Sequence, residues 1–166
     1  MYQHILVPID ASTTAERGLT EAIELARSSG GRLRLLHALT DPVYATDVSG
    51  FVAAQVDLIP MLRSAGLELL ARAEQRAASA GVAVESQQIE LLGQRLCDVV
   101  AEDARRWGAD LIVLGTHARH GIERFLLGSD AEQIMRLAPT PVLLVHADLE
   151  NVAEKAAPSA SPAMSA

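Results

Sequence analysis

The stretch GTHARHGIERFLLGSD, residues 115–130, follows the apolar run LIVL and leads into a segment with helical periodicity. It sets Gly115, Gly121 and Gly128 between a predicted strand and a helix that opens near Ser129. A helix start carries unpaired N–H groups and about half a positive charge. Glycine lets backbone come close to an anion and accepts positive φ. Gly128-Ser129 ahead of the helix is therefore an arrangement for holding a phosphate, with the Ser129 hydroxyl adding a hydrogen bond. A second reading exists. Ser129 and Glu132 match the capping box S-x-x-E, in which the serine caps its own helix and Gly128 only turns the chain. Spacing alone leaves both open. Asp130, in the first turn, answers the helix dipole; pointing inward, it would repel a triphosphate more than a monophosphate.

Asp10, at the end of the apolar run HILVPI, is either a turn former near Thr13 or a polar group at a ligand. A phospho-acceptor role would need further acidic residues beside it and an aspartate ending the third strand, where the sequence reads QQIELLG. His117, Arg119, His120 and Arg124 can each donate to a phosphate oxygen, or simply face solvent. A histidine metal site needs two or three converging ligands. His4 and His146 fall at opposite strand ends, so no metal is expected. Cys97 reads as a buried, inert thiol. There is no G-x-S-x-G, no Walker lysine, no G-x-G-x-x-G after the first strand and no S-G-G-x-D-S loop. No catalytic residue is assigned on these grounds.

The elements that must position these residues alternate along the chain. Strands are predicted at 4–9, 32–39, 82–91, 109–115 and 140–147. Helices are predicted after Thr13, which has capping-box spacing to Glu16, up to Gly30-Gly31; over 57–80; over 93–108; and over 129–138. The apolar stripe of the second helix is Leu58, Leu62, Ala65 and Leu69, and Leu96, Val99, Val100, Ala104 and Trp107 face inward from the third. Residues 40–56 are an irregular connection. The strand through Leu111–Leu114 has no polar break, so it is buried on both faces, while 82–91 and 140–147 belong near sheet edges. This is a βαβαβαβαβ order, which implies an α/β fold: a doubly wound, five-stranded parallel sheet with helices on both faces. Ligands bind such sheets beyond the carboxyl ends of the strands, here the loops 9–13, 38–45, 91–95 and 115–128.

The 166 residues make one domain over 1–148, followed by an Ala/Ser/Pro-rich tail at 149–166 that lacks the composition to fold. Net charge of −7 argues against a nucleic-acid surface. The single cysteine excludes an internal disulfide. No signal peptide is recognisable and no apolar run is long enough to span a bilayer, so the cytoplasm is the expected compartment and no membrane partner is expected.

The segment GTHARHGIERFLLGSDAEQIMRLAPTPVLLV, together with ILVPIDAS and RLLHAL, resembles the universal stress protein family over about residues 1–147. Nucleotide-binding members carry glycine, two residues, glycine, nine residues and then Gly-Ser or Gly-Thr. Gly115 and Gly128-Ser129 match this pattern; the second glycine is Ala118 here. If that position needs positive φ, alanine costs roughly 1 kcal/mol, and Gly121 would let the loop shift. The resemblance implies that Pro8, Ile9, Asp10 and Ala38 surround adenine and ribose, with Leu114 and Gly115 under the ribose. It places Gly128, Ser129 and Asp130 at the phosphates, with His117, Ala118 and Arg119 in the intervening loop. The implied ligand is ATP or AMP, with Mg²⁺ accompanying ATP. The implied role is a stress-response sensor or regulatory module, homodimeric through Pro141–Val145, acting on an unspecified protein partner as nucleotide orders residues 116–127. A nucleotide-free interaction module and a slow ATPase are the alternatives.

Overall fold

The computed structural model describes residues 2–39, 58–117 and 129–147. The elements are β1 (His4–Pro8), α1 (Thr13–Ser29), β2 (Arg32–Leu39), α2 (Leu58–Ser79), β3 (Ala83–Glu90), α3 (Leu96–Trp107), β4 (Leu111–His117), α4 (Ser129–Leu137) and β5 (Val142–Ala147). The expected connection at 40–56 and tail at 149–166 lie outside the described residues. So do Ala118, Arg119, His120, Gly121, Arg124 and Gly128.

All pairings are parallel, in the order β3-β2-β1-β4-β5. Ile5, Leu6 and Val7 in β1 and Leu111, Ile112 and Val113 in β4 are almost wholly buried. Such unbroken apolar runs are what strands covered on both faces require. On one face Ile5, Val7, Leu33, Leu35 and Val113 pack against α1 and α2 through Leu19, Ala22, Leu69 and Ala73. On the other, Leu6, Leu36, Ile112 and Leu114 meet Cys97, Val100 and Ala104 of α3 and Ile134 of α4. The chain steps outward from β1 to β2 and β3, then returns to the far side of β1 with β4. β1 stays paired with β2 as far as Pro8 but with β4 only through Ile5 and Leu6. The two strands therefore part toward their carboxyl ends, at the point where strand order reverses.

Several local expectations change. Ser12, not Thr13, caps α1: its side chain accepts from the Ala15 N–H at 3.1 Å, and Glu16 turns instead to Arg76 of α2. β4 runs two residues further than expected, so Thr116 and His117 belong to the strand. In α2 the buried stripe is Gly66, Leu69, Leu70, Ala73 and Ala77, while Leu58 is 38% exposed and Ala65 is exposed. The cause is a close approach: a Cβ on Gly66 would stand 2.6 Å from Cδ2 of His37, so the helix turns its smallest residue to the sheet. Trp107 is only half-buried. Its ring meets His4 edge-on at 5.2 Å and lies under the guanidinium groups of Arg32 and Arg34, and its indole N–H donates to Glu85. An indole needs a partner for its N–H, and the sheet margin supplies one.

Beside Trp107, Arg34 of β2 grips Asp103 of α3 with two hydrogen bonds of 2.8 and 2.9 Å and reaches Glu85 at 3.1 Å. The Asp103 hydrogen bonds, followed by its charge and that of Glu85, raise the Arg34 guanidinium above its ordinary range against the opposing effect of burial. Asp103 is 5% exposed. Replacing Arg34 with methionine strands that carboxylate and is expected to lower unfolding free energy by about 3 kcal/mol in urea titration. The double variant Arg34→Met, Asp103→Leu should recover most of the loss.

The tightest junction joins α1 to β4. A Cβ on Gly115 would lie 1.8 Å from the Thr14 carbonyl oxygen, and one on Gly18 would lie 2.9 Å from the Gly115 nitrogen. Backbone meets backbone there, and no side chain can yield. Gly115→Ala is expected to cost about 3 kcal/mol or more by forced separation of helix and strand, read as a lower urea midpoint. An unchanged midpoint would contradict the packing described.

Candidate functional site

A cleft of about 460 Å³ opens where β1 and β4 part. Its floor is the carboxyl end of the sheet, with Pro8 and Ile9 after β1, Leu36 and Ala38 of β2, and Leu114 and Gly115 of β4. Leu91 and Leu96 form one wall, and Ala131 and Ile134 of α4 form another. Polar groups enter from two helix starts: Asp10, Ser12 and Thr14 at α1, and Asp130 at α4. A larger, shallower groove of about 600 Å³ lies between α1 and α2, lined by residues such as Ile23, Glu24 and Arg72. It is more open and touches no strand end, so the smaller cleft is the better candidate for a ligand.

The backbone of the floor is firmly held. The Ile9 N–H donates to the Leu36 carbonyl at 2.9 Å, continuing the β1–β2 ladder past its last strand residue. From the α2 face, His37 Nδ1 donates to the Ile9 carbonyl at 2.9 Å, which sets the histidine tautomer because a carbonyl only accepts. Asp10 closes a turn: one carboxylate oxygen accepts from the Ser12 N–H at 2.9 Å. The Ser12 and Thr14 hydroxyls are 2.9 Å apart, and Thr14 is 4% exposed. This chain of short-range bonds locks the start of α1 against the cleft. On the far rim, Leu92 has φ of 41° and Gly93 of 83°, a tight left-handed turn that swings the chain from β3 into α3. Arg95, the residue before α3, holds Asp98 through two hydrogen bonds of 2.8 and 2.9 Å, which lower the Asp98 carboxyl below its ordinary range.

Seven of the sequence-predicted residues gather in this one cleft: Pro8, Ile9, Asp10, Ala38, Leu114, Gly115 and Asp130. Ser129 is the first residue of α4 and exposed, outside the cleft lining. Glu132 accepts from Arg136, one turn on, through Oε1 at 2.7 Å. His117 ends β4, its backbone in register with Ala147. Ala118, Arg119 and Gly128 lie outside the described residues. Cys97 is buried, with its thiol 3.5 Å from Gln133 of α4. Thr116 Oγ1 lies 2.9 Å from His146 Nδ1, linking the ends of β4 and β5.

Sequence reasoning did not single out Ser12, Thr14, Ala15, Leu36, Leu91, Leu96, Ala131 and Ile134 as cleft residues, although Ser12 and Leu91 fall in the expected site loops 9–13 and 91–95. Leu36 was within reach, since it shares a strand face with Ala38. Thr14 and Ala15 were not, because how far α1 enters the cleft depends on how closely the helix can approach β4.

The sequence pattern of the universal stress protein family matches residues 1–146. A universal stress protein of Methanocaldococcus jannaschii is 31% identical over 150 residues, covering 87% of this chain and 82% of its own. The crystal structure of a family protein from Burkholderia pseudomallei superposes with a TM-score of 0.70 at 30% identity, covering 87% of this chain and 96% of its own. A universal stress protein crystallised in complex with cAMP superposes with a TM-score of 0.61 at 25% identity, covering 87% and 97%. Five parallel strands, a crevice at the reversal of their order and a family pattern running through nearly all the described chain lead to one conclusion: this chain belongs to the universal stress protein family.

Proposed function

We propose that this chain binds an adenine nucleotide, AMP or ATP, in the β1–β4 cleft and works as a regulatory module in the stress response. The observation that carries the reading is the cleft itself. Its apolar floor and walls, from Pro8, Leu36, Ala38, Leu91, Leu96 and Ile134, suit the flat faces of a purine. Asp10 uses one oxygen to shape the turn at Ser12, leaving the other for a ribose hydroxyl. Leu114 and Gly115 lie beneath the sugar in this pose. The first turn of α4 offers amide groups to a phosphate, with Ser129 beside it. Gly128, His117, Ala118 and Arg119 complete the phosphate side in this reading, and Mg²⁺ enters on the phosphates of ATP. The cAMP complex of a 25% identical protein supports the ligand class. Asp10, Ser12 and Thr14 in the lining are tied to one another and to the first turn of α1, which favours sensing over turnover.

Titration calorimetry of the purified chain with AMP should give saturable binding with one nucleotide per chain. Asp10→Ala is expected to weaken it about tenfold or more, the usual cost of losing a hydrogen bond to a charged group. Mass spectrometry of denatured protein should find an adenine compound carried through purification. Silence in both measurements would overturn the reading.

The exposed edge of β5 is the proposed dimer contact, through Pro141–Val145, where Leu143 is 38% exposed. An unpaired strand edge recruits another strand unless it is protected. Light scattering should report twice the 17.7 kDa chain mass, and Leu143→Asp should shift it toward one chain. A monomeric wild-type protein would remove the dimer from the proposal.

A further inference from the structure

His37 reaches the cleft from behind. Its neighbours Leu36 and Ala38 line the cleft, on the side of the sheet that α3 and α4 cover. His37, between them on β2, has its ring against α2 on the opposite side. It is half-buried and is not part of the cleft lining. Its Nδ1 nevertheless donates to the carbonyl of Ile9, a residue of the cleft floor, at 2.9 Å. The other edge of the ring rests on α2. A Cβ on Gly66 would stand 2.6 Å from its Cδ2 and 2.8 Å from its Nε2. Gln88, the register partner of His37 on β3, shares the same notch. That Cβ would also collide with the Gln88 Nε2, which donates to the Arg63 carbonyl at 3.3 Å. The ring of His37 thus fills the space between a backbone group of the cleft and the backbone of a helix that supplies no residue to the described lining.

Resting on the nucleotide reading above, we infer that His37 is a positioning residue for the nucleotide, and that Gly66 of α2 is the seat that keeps its ring in place. The group it positions is the Ile9–Asp10 peptide. The Ile9 N–H is fixed by the Leu36 carbonyl at 2.9 Å. The hydrogen bond from His37 fixes the carbonyl of the same residue. A trans peptide is planar, with its C=O and N–H pointing opposite ways, and no cis bond occurs among the described residues. Holding the Ile9 carbonyl on His37 therefore also sets the direction of the Asp10 N–H and the point from which the Asp10 side chain starts. That side chain is the one assigned to the ribose, and its carboxylate is already turned to Ser12. A ligand that finds this peptide set loses less on binding than one that must set it. A side chain at 66 would push the ring off its hydrogen bond or push α2 off the sheet. Affinity then depends, through one ring, on a helix the nucleotide does not touch.

The test is calorimetry on the full chain with adenosine and AMP, for wild type, His37→Leu, His37→Asn, Gly66→Ala and the double variant His37→Asn, Gly66→Ala. Asparagine places an amide N–H about where Nδ1 stands and, being shorter, leaves the notch at Gly66 open. His37→Leu should weaken adenosine and AMP by the same factor, about threefold to tenfold, the usual worth of one hydrogen bond. His37→Asn should stay within about twofold of wild type, because the donor is kept. Gly66→Ala should weaken binding as His37→Leu does, yet change little when asparagine stands at 37; such non-additivity marks side chains that act on each other. Alanine is a better helix former than glycine, so weaker binding in that variant does not follow from a weaker helix. In ligand-free protein, amide exchange at residues 10–12 should quicken in His37→Leu and Gly66→Ala and keep the wild-type rate in His37→Asn. Undiminished AMP affinity in folded His37→Leu, with wild type binding AMP, would overturn this inference and spare the nucleotide reading. Equal weakening by leucine and asparagine would overturn the role of the hydrogen bond. An effect of Gly66→Ala that is the same with histidine or asparagine at 37 would overturn the seat. Failure of wild type to bind either ligand would overturn the nucleotide reading and this inference together. Urea midpoints of each variant confirm that a change in affinity comes from a folded chain.

Discussion

The arrangement of the site depends on one backbone contact. Gly115 of β4 lies so close to the Thr14 carbonyl that a single methyl group would fall 1.8 Å from it, and Gly18 repeats the closeness one turn along. With side chains at these two points, α1 would stand off the sheet by the thickness of a carbon atom or more. Its first turn would then no longer reach the crevice between β1 and β4. Because it does reach, Ser12, Thr14 and Ala15 help to line the cleft, and the start of one helix faces the start of another across it. Gly115 is absent from the positive-φ positions among the described residues. Its value there is the side chain it lacks, not an unusual backbone angle.

The two ends of the sheet do different work. At the carboxyl end, polar groups are short, numerous and tied to backbone: Asp10 to Ser12, Ser12 to Ala15, His37 to Ile9. They hold main chain still without filling the cleft. Toward the amino end, long side chains clamp strands to a helix: Arg34 to Asp103, Glu85 and Gln87, with Trp107 laid beside it. Buried ion pairs of this kind are costly to break and not strongly stabilising when intact. This pair joins β2 to α3, the helix whose first residue, Leu96, lines the cleft. Among the described residues the cleft combines firm backbone with apolar walls, which suits a ligand held by shape.

Much of this was legible in the residues. Unbroken apolar runs at Ile5–Val7 and Leu111–Leu114, alternating with helical segments, require a parallel sheet covered on both faces. The polar third strand and the solitary last strand read as edges, and they are the outer strands. The family resemblance carried by the loop pattern and the first two strands is what puts Asp10, Ala38, Leu114, Gly115 and Asp130 at one site, and all five line the cleft. The misreadings share a cause. Thr13 yielded the cap to Ser12, Ala65 yielded its buried place to Gly66, and Trp107 stayed at the margin. In each, spacing along one element allowed two or more rotations, and contact with a neighbouring element chose between them.

Sequence alone thus determined the order of strands and helices, the fold class, and which strand ends could meet a ligand, because hydrophobic periodicity and turn residues act over short stretches of chain. Only tertiary structure decided that Thr14 and Ala15 of α1 reach the cleft, that β1 and β4 separate after Leu6 and Ile112, and that Asp10 and Asp130 line the same space. Those outcomes depend on distances between atoms a hundred residues apart, set by how closely glycine lets two backbones approach, and no local pattern records such a distance.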